Sequence, residues 1–144
     1  MLSELLSTER VRVPLGRHSK ADLLRELVRL AVGDESEETL GGVIAAVEAR
    51  EAQVSTAMGG GLAIPHGRTD LVPDVRMSAG LVEEVRDYAA PDGSQVRVVF
   101  LLLTPSHASG AHVKLLARIA RLMHKPESRA ALMAAQSTPE FLST

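Results

Sequence analysis

The chain has 144 residues, 45% of them hydrophobic, with 16 basic against 18 acidic side chains and a net charge of −2. That suits one domain over residues 1–144 and leaves no basic surplus to draw a nucleic-acid backbone. The absence of cysteine excludes disulfides, thiol catalysis and Cys-based zinc sites, and the longest apolar run, residues 98–103, is far too short to insert into a membrane.

Tyr88, Phe100 and Phe141 are the whole aromatic complement, so the core must be built from Leu, Val, Ala and Met. The first residues show neither a basic n-region nor a long apolar stretch, so no secretory signal is read and a cytoplasmic location is expected. In chain order, a short helical start precedes a strand over 10–13 and a turn around Gly16. Ser19 can cap a helix through Val32, with Leu23, Leu24, Leu27, Leu30 and Ala31 at helical spacing and Gly33 as its stop. Ser36 opens a second helix to about Arg50 or Glu51, striped by Leu40, Val43, Ile44 and Val47. Four glycines and a proline between 55 and 68 argue against a long helix there. Short strands are expected at 62–64 and 77–84, and a turn at 91–93. The strongest strand is 95–103, whose continuous apolar end implies cover on both faces. Thr104 and Pro105 end it. A helix then runs from about Ser109 or Ala111 to His124, with Leu115, Leu116, Ile119, Leu122 and Met123 inward. Pro126 starts another, through about Gln136, and Ser137 with Glu140 has capping-box spacing for a last turn. Helices before and after interleaved strands make the fold class α/β, one domain with helices packed against a sheet.

The chemistry concentrates at 59–68, Gly-Gly-Gly-Leu-Ala-Ile-Pro-His-Gly-Arg. No Lys-Ser/Thr pair follows the glycines, so this is not a P-loop. Ile64 stands where a dinucleotide fingerprint needs its third glycine. No HExxH motif occurs. What remains is His66 between Pro65, which restricts the backbone, and Gly67, which leaves room for close approach. Neutral imidazole is nucleophilic and available near neutral pH, so a ring nitrogen can accept a phosphoryl group. That transfer asks the protein mainly for positioning and charge neutralisation. Arg68 adds a nearby cation. Arg50, at the end of the second helix, and His112, in the first turn of a later one, are suitable helpers. Spacing alone brings neither to His66.

The string Arg50-Glu51, then 55–68 from Ser55-Thr56 to His66-Gly67-Arg68, resembles the phosphorylation-site signature of the fructose/mannitol-type IIA domains of the bacterial phosphotransferase system. In layout it is most similar to the free-standing nitrogen-regulatory IIA proteins. Leu101-Leu102-Leu103-Thr104-Pro105 followed by His112-Val113-Lys114-Leu115-Leu116 resembles the family's strand-proline-loop-histidine-helix segment, so the likeness spans nearly the whole chain. It implies a mixed β-sheet flanked by helices. It implies that His66 is phosphorylated through Nε2, that Arg50 stabilises the phosphoryl charge and that His112 hydrogen-bonds its oxygens. The implied donor is an HPr-like histidine phosphocarrier protein, and the next partner a IIB subunit or a regulatory target. No cofactor and no metal is implied. The family's usual Gly-Ile-Gly-Asn-Gly reads Ala57-Met58-Gly59-Gly60-Gly61 here, which removes an Asn side chain but no phosphoryl-accepting group.

Plainer roles stand beside these. His66 can be a histidine shaping a turn, His112 a helix-start residue facing water, and Arg50 a cation at a helix C-terminus. Arg68 reads as a supporting or partner-docking charge. His66, His107 and His112 offer a three-histidine metal site without a spaced carboxylate. His18 and His124 read as surface residues, and Asp92-Gly93 as a simple turn. A regulatory protein-binding module in which phosphorylation is secondary or lost is the alternative to a carrier.

Overall fold

The computed structural model describes residues 5–33 and 35–143. The strands are β1 (Val11–Arg12), β2 (Arg17–Ser19), β3 (Ala57–Gly59), β4 (Leu62–Ala63), β5 (His66–Arg68), β6 (Arg76–Leu81), β7 (Glu84–Arg86) and β8 (Val98–Thr104). The helices are α1 (Lys20–Val32), α2 (Glu37–Gln53), α3 (Ser109–His124), α4 (Pro126–Ala134) and α5 (Thr138–Leu142), with a 3-10 turn at Ser106–Ala108. The helical start expected before residue 10 falls largely on residues 1–4, outside the described residues.

Capping explains where the helices begin. Ser19 Oγ accepts from Asp22 N at 3.2 Å and Ser36 Oγ accepts from Thr39 N at 3.1 Å, each satisfying an orphan donor of the first turn. Helix α2 runs two residues beyond the expected end at Glu51. Pro126 sits in the first turn of α4 as expected, but that helix stops at Ala134, short of Gln136. Ser137 Oγ accepts from Glu140 N at 3.3 Å, while the Glu140 carboxylate reaches back to Gln136 N at 3.0 Å.

Strand β8 organises the mixed main sheet. It pairs antiparallel with β6, which pairs parallel with β1. Its other edge takes β4 and then β5, both parallel, and β3 folds back on β4. Every residue of β8 is buried. Val99, Leu101 and Leu103 pack into one core with α1 and α2. Val98, Phe100 and Leu102 pack into a second core with Leu115, Ile119 and Met123 of α3 and Leu132 of α4. The period of two along the strand thus feeds two helical layers, which is why its sequence is apolar without alternation. A second, two-stranded parallel sheet joins β2 to β7.

Two corrections bear on the site. The strand expected at 95–103 spans Val98–Thr104, so Thr104 lies within it and is fully buried. Residues 66–68 form strand β5, so His66 does not shape a turn, and β5 keeps the register of β4: Leu62 faces Val98 and His66 faces Leu102. Pro65 between them has no N–H to donate, yet its carbonyl still accepts from Leu102 N at 3.1 Å. The edge is therefore continuous on its acceptor side. On the opposite face of β5, a Cβ on Gly67 would come within 3.1 Å of Val47 Cγ2 and 3.4 Å of Val47 N. Glycine here lets α2 lie directly on the strand that carries His66.

Candidate functional site

His66 and Arg68 project from the same face of β5, the face shared by Leu102 and Thr104 of β8. Helix α3 covers that face and brings His112 over it. The two imidazoles meet edge to face, with ring centroids 5.2 Å apart and 70° between their planes. The last turns of α2 close the outer side. Together Ala46, Ala49, Arg50, Gln53, His66, Arg68 and His112 line an open cleft of about 540 Å³. His66 is half-buried, Arg50 half-buried and Arg68 exposed.

Each ring is held from behind. Ile64 O lies 2.9 Å from His66 Nδ1. A carbonyl can only accept, so Nδ1 carries the proton and Nε2 keeps its lone pair. Thr104 Oγ1 lies 3.0 Å from His112 Nδ1. Thr104 is 0% exposed, and Nδ1 is the acceptor its hydroxyl proton reaches among the described residues. Thr104 therefore donates to Nδ1, and Nε2 of His112 carries the ring proton. One ring thus offers a nucleophile and the other a donor. Burial, reinforced by the neighbouring His66, Arg68 and Arg50, pushes the His112 pKa down to about 4, so at neutral pH it is an uncharged donor.

Arg50 Nη1 donates to Val54 O at 3.0 Å, which holds the guanidinium beside the end of its own helix. The turn before α3 is fixed as well: the Asp70 carboxylate accepts from Ser106 N at 2.8 Å and Ser106 Oγ at 2.9 Å. Those backbone and hydroxyl donors hold Asp70 below the usual carboxylate range. Thr69 N donates to Thr104 O at 3.0 Å. The segment leaving β5 is thereby tied to the segment entering α3, and the two histidines keep a fixed spacing.

The glycine run makes the turn between β3 and β4. Gly59, Gly60 and Gly61 have φ of 88°, 61° and 84°, a conformation costly for most side chains. Asp92 is more than a turn residue. Its carboxylate accepts from Gly60 N at 2.9 Å and from Ser94 Oγ at 2.6 Å. Donation by Ser94 Oγ and then by Gly60 N–H pulls the Asp92 pKa down to about 2.

His66, His112, Arg50 and Arg68 are brought together. His107 is exposed on the 3-10 turn and His124 exposed at the end of α3, while His18 is half-buried with its Nε2 against Leu15 O. Among the described residues no group of three His, Asp or Glu side chains could hold a metal ion, and no helix is long and apolar enough to cross a membrane. Sequence reasoning missed Thr104 as the partner of His112. Its place directly after three leucines of a covered strand was the available signal.

A cleft with an imidazole lone pair, a second imidazole donor and two guanidinium groups, on a mixed sheet between helical layers, is equipped to receive an anionic group. The family model described as phosphoenolpyruvate-dependent sugar phosphotransferase system, EIIA 2, matches residues 4–144, and the chain belongs to that family of phosphotransferase components. The nitrogen regulatory protein of Bradyrhizobium diazoefficiens is 31% identical over 142 residues, covering 99% of this chain and 92% of that one. The crystal structure of nitrogen regulatory protein IIA-Ntr from Neisseria meningitidis superposes with a TM-score of 0.89 at 31% identity, covering 99% and 97% of the two chains. The mannitol IIA of Escherichia coli, solved in complex with phosphorylated enzyme IIB, shares the fold with a TM-score of 0.75 at 18% identity, covering 96% of each chain.

Proposed function

We propose that this chain is a cytoplasmic phosphohistidine carrier, one domain over residues 1–144, in which Nε2 of His66 accepts a phosphoryl group. The observation that carries the reading is the Nδ1–H bond from His66 to Ile64 O at 2.9 Å, because it leaves the Nε2 lone pair free on the cleft side of the ring. The donor is an HPr-like histidine phosphocarrier protein. Nε2 attacks phosphorus, a new N–P bond forms, and the donor's N–P bond breaks with its electron pair returning to the donor imidazole. His66 keeps its proton on Nδ1, so the phosphorylated ring is cationic and Ile64 O steadies that charge. No separate proton transfer is needed.

Arg50 and Arg68 offset the incoming dianion, and Nε2–H of His112 donates to one phosphoryl oxygen. A neutral His112 suits this role, because it gives a directed hydrogen bond and gains attraction as the phosphoryl group arrives.

The group then passes to a IIB partner, as the complex of the mannitol relative suggests, or changes what the protein binds. The 31% identity to a nitrogen regulatory protein along nearly the whole chain favours regulation as the output. Incubating the protein with phosphoenolpyruvate and the two general phosphotransferase proteins tests the carrier role. Acid-labile label should appear on the wild type and not on His66→Ala. Equal labelling of both would refute it. A pull-down whose partners ignore the phosphorylation state would favour a binding module instead.

A further inference from the structure

Glu51 follows Arg50 on α2, and one residue of helical rotation turns it from the cleft into the interior, where it is 7% exposed. Phosphoryl transfer makes no direct use of it. Its carboxylate accepts from Thr56 N at 3.2 and 3.3 Å, from the Thr56 hydroxyl, and from Tyr88 OH at 3.0 Å. It also pairs with Lys20 Nζ at 2.8 Å, whose ammonium lies 4.5 Å from the Tyr88 ring centroid. Burial opposes the Glu51 charge, but these donors outweigh it and keep the carboxyl below its ordinary range.

A buried ion pair gains little stability over an apolar substitute, so what it orients matters more. The Thr56 carbonyl accepts from Ile64 N at 3.1 Å. The Ile64 carbonyl accepts from His66 Nδ1 at 2.9 Å. Pro65 O holds Leu102 N from the other side. Ile64 is thus pinned at its N–H through Thr56, and its carbonyl is aimed at the ring by the proline that follows. We propose that Glu51 is a positioning residue for His66, acting through Thr56 and Ile64 to fix the tautomer that leaves Nε2 unprotonated. This rests on the reading of His66 as phosphoacceptor.

Two-bond proton–nitrogen correlations of histidine-labelled protein near pH 7.5 report the His66 tautomer without any donor protein. The wild type should show the proton on Nδ1. Glu51→Ala should show a mixed tautomer, and phosphorylation should slow roughly tenfold through misplacement alone, with KM for the donor unchanged. Glu51→Gln keeps a carbonyl that can hold Thr56 N–H. It should recover the tautomer and most of the rate, although its Tm falls as in Glu51→Ala because Lys20 loses its partner. That separation of tautomer from Tm is what a purely structural role would not give. A folded Glu51→Ala with the wild-type tautomer and rate overturns the proposal, as do tautomer and rate that simply follow Tm. If Glu51→Ala does not fold, Glu51→Asp takes its place, keeping a charge for Lys20 while drawing the carboxylate back from Thr56 N: a mixed tautomer supports the role, and an unchanged one overturns it. Absence of His66 labelling in the wild type would defeat the phosphoacceptor reading instead, and the tautomer comparison would still decide the positioning.

Discussion

His66 and His112 lie with ring centroids 5.2 Å apart, and each has its Nδ1 occupied by a partner behind it, Ile64 O in one case and Thr104 Oγ1 in the other. The two rings therefore present opposite faces of the same chemistry to the cleft. A lone pair stands on one Nε2 and a proton on the other. Strand β5 supplies the first ring and the first turn of α3 the second, and Asp70 ties the two supports together through Ser106.

Removing the donor ring should slow transfer without dissolving the fold. On the proposed reading, His112→Ala takes away one hydrogen bond to the phosphoryl group, and loss of one such preorganised donor costs about 10²-fold in rate. It also strands the buried Thr104 hydroxyl, a stability loss of about 1–2 kcal/mol. Quench-flow labelling and thermal unfolding separate the two effects. A cooperative transition with a lowered Tm and a slowed rate is expected. An unfolded variant would assign His112 a structural role.

Stability should fall on acidification, beginning near pH 6.5. His112 takes a proton near pH 6.5 when unfolded but only near pH 4 when folded. Between those values the unfolded chain binds more protons, so stability rises with pH there and is lost as pH falls. Glu51 acts in the same direction at lower pH: its folded pKa is depressed, so its contribution is present above the unfolded value and lost as pH drops below it. Urea titrations at pH 7.5, 5.5 and 4.5 should give successively lower midpoints. His112→Gln should flatten the part of the slope between pH 6.5 and 5.5.

The glycine turn gives a contrast between neighbours. Gly60 has φ of 61°, and a Cβ there would meet only Arg129 Nη1, at 3.7 Å. Asn tolerates this conformation, so Gly60→Asn should fold, transfer normally and gain up to about 0.5 kcal/mol by restricting the unfolded chain. A Cβ on Gly59 would fall 2.9 Å from Asp92 Oδ2 at φ of 88°. Gly59→Ala should therefore break the Asp92 clamp and cost roughly 1–3 kcal/mol. Chemical denaturation of the pair checks both; equal effects would show that the clamp does not matter.

Much of this architecture is legible in the residues. Ser19 and Ser36 announce α1 and α2, and the apolar run of β8 announces a strand covered on both sides. Family likeness links Arg50, His66 and His112, which spacing alone does not, and the three line one cleft. What stayed hidden depends on contacts distant in sequence. His66-Gly67-Arg68 has no strand propensity and is a strand only because β8 offers it an edge. The pair β2 and β7 is likewise a product of tertiary register. Glu51 on a helix looks solvated until Lys20, Thr56 and Tyr88 converge on it, and Asp92 looks like a turn until Gly60 is found against it.

The most direct measurement is the site and linkage of the phosphoryl group after transfer from a phosphorylated HPr-like donor, read by phosphorus NMR with mass spectrometry of rapidly digested protein. One acid-labile phosphoramidate on Nε2 of His66, absent in His66→Ala and still formed, more slowly, in His112→Ala, is the expected result. Phosphate on His112, on Nδ1 of His66, or on neither histidine would contradict the assignment of nucleophile and donor.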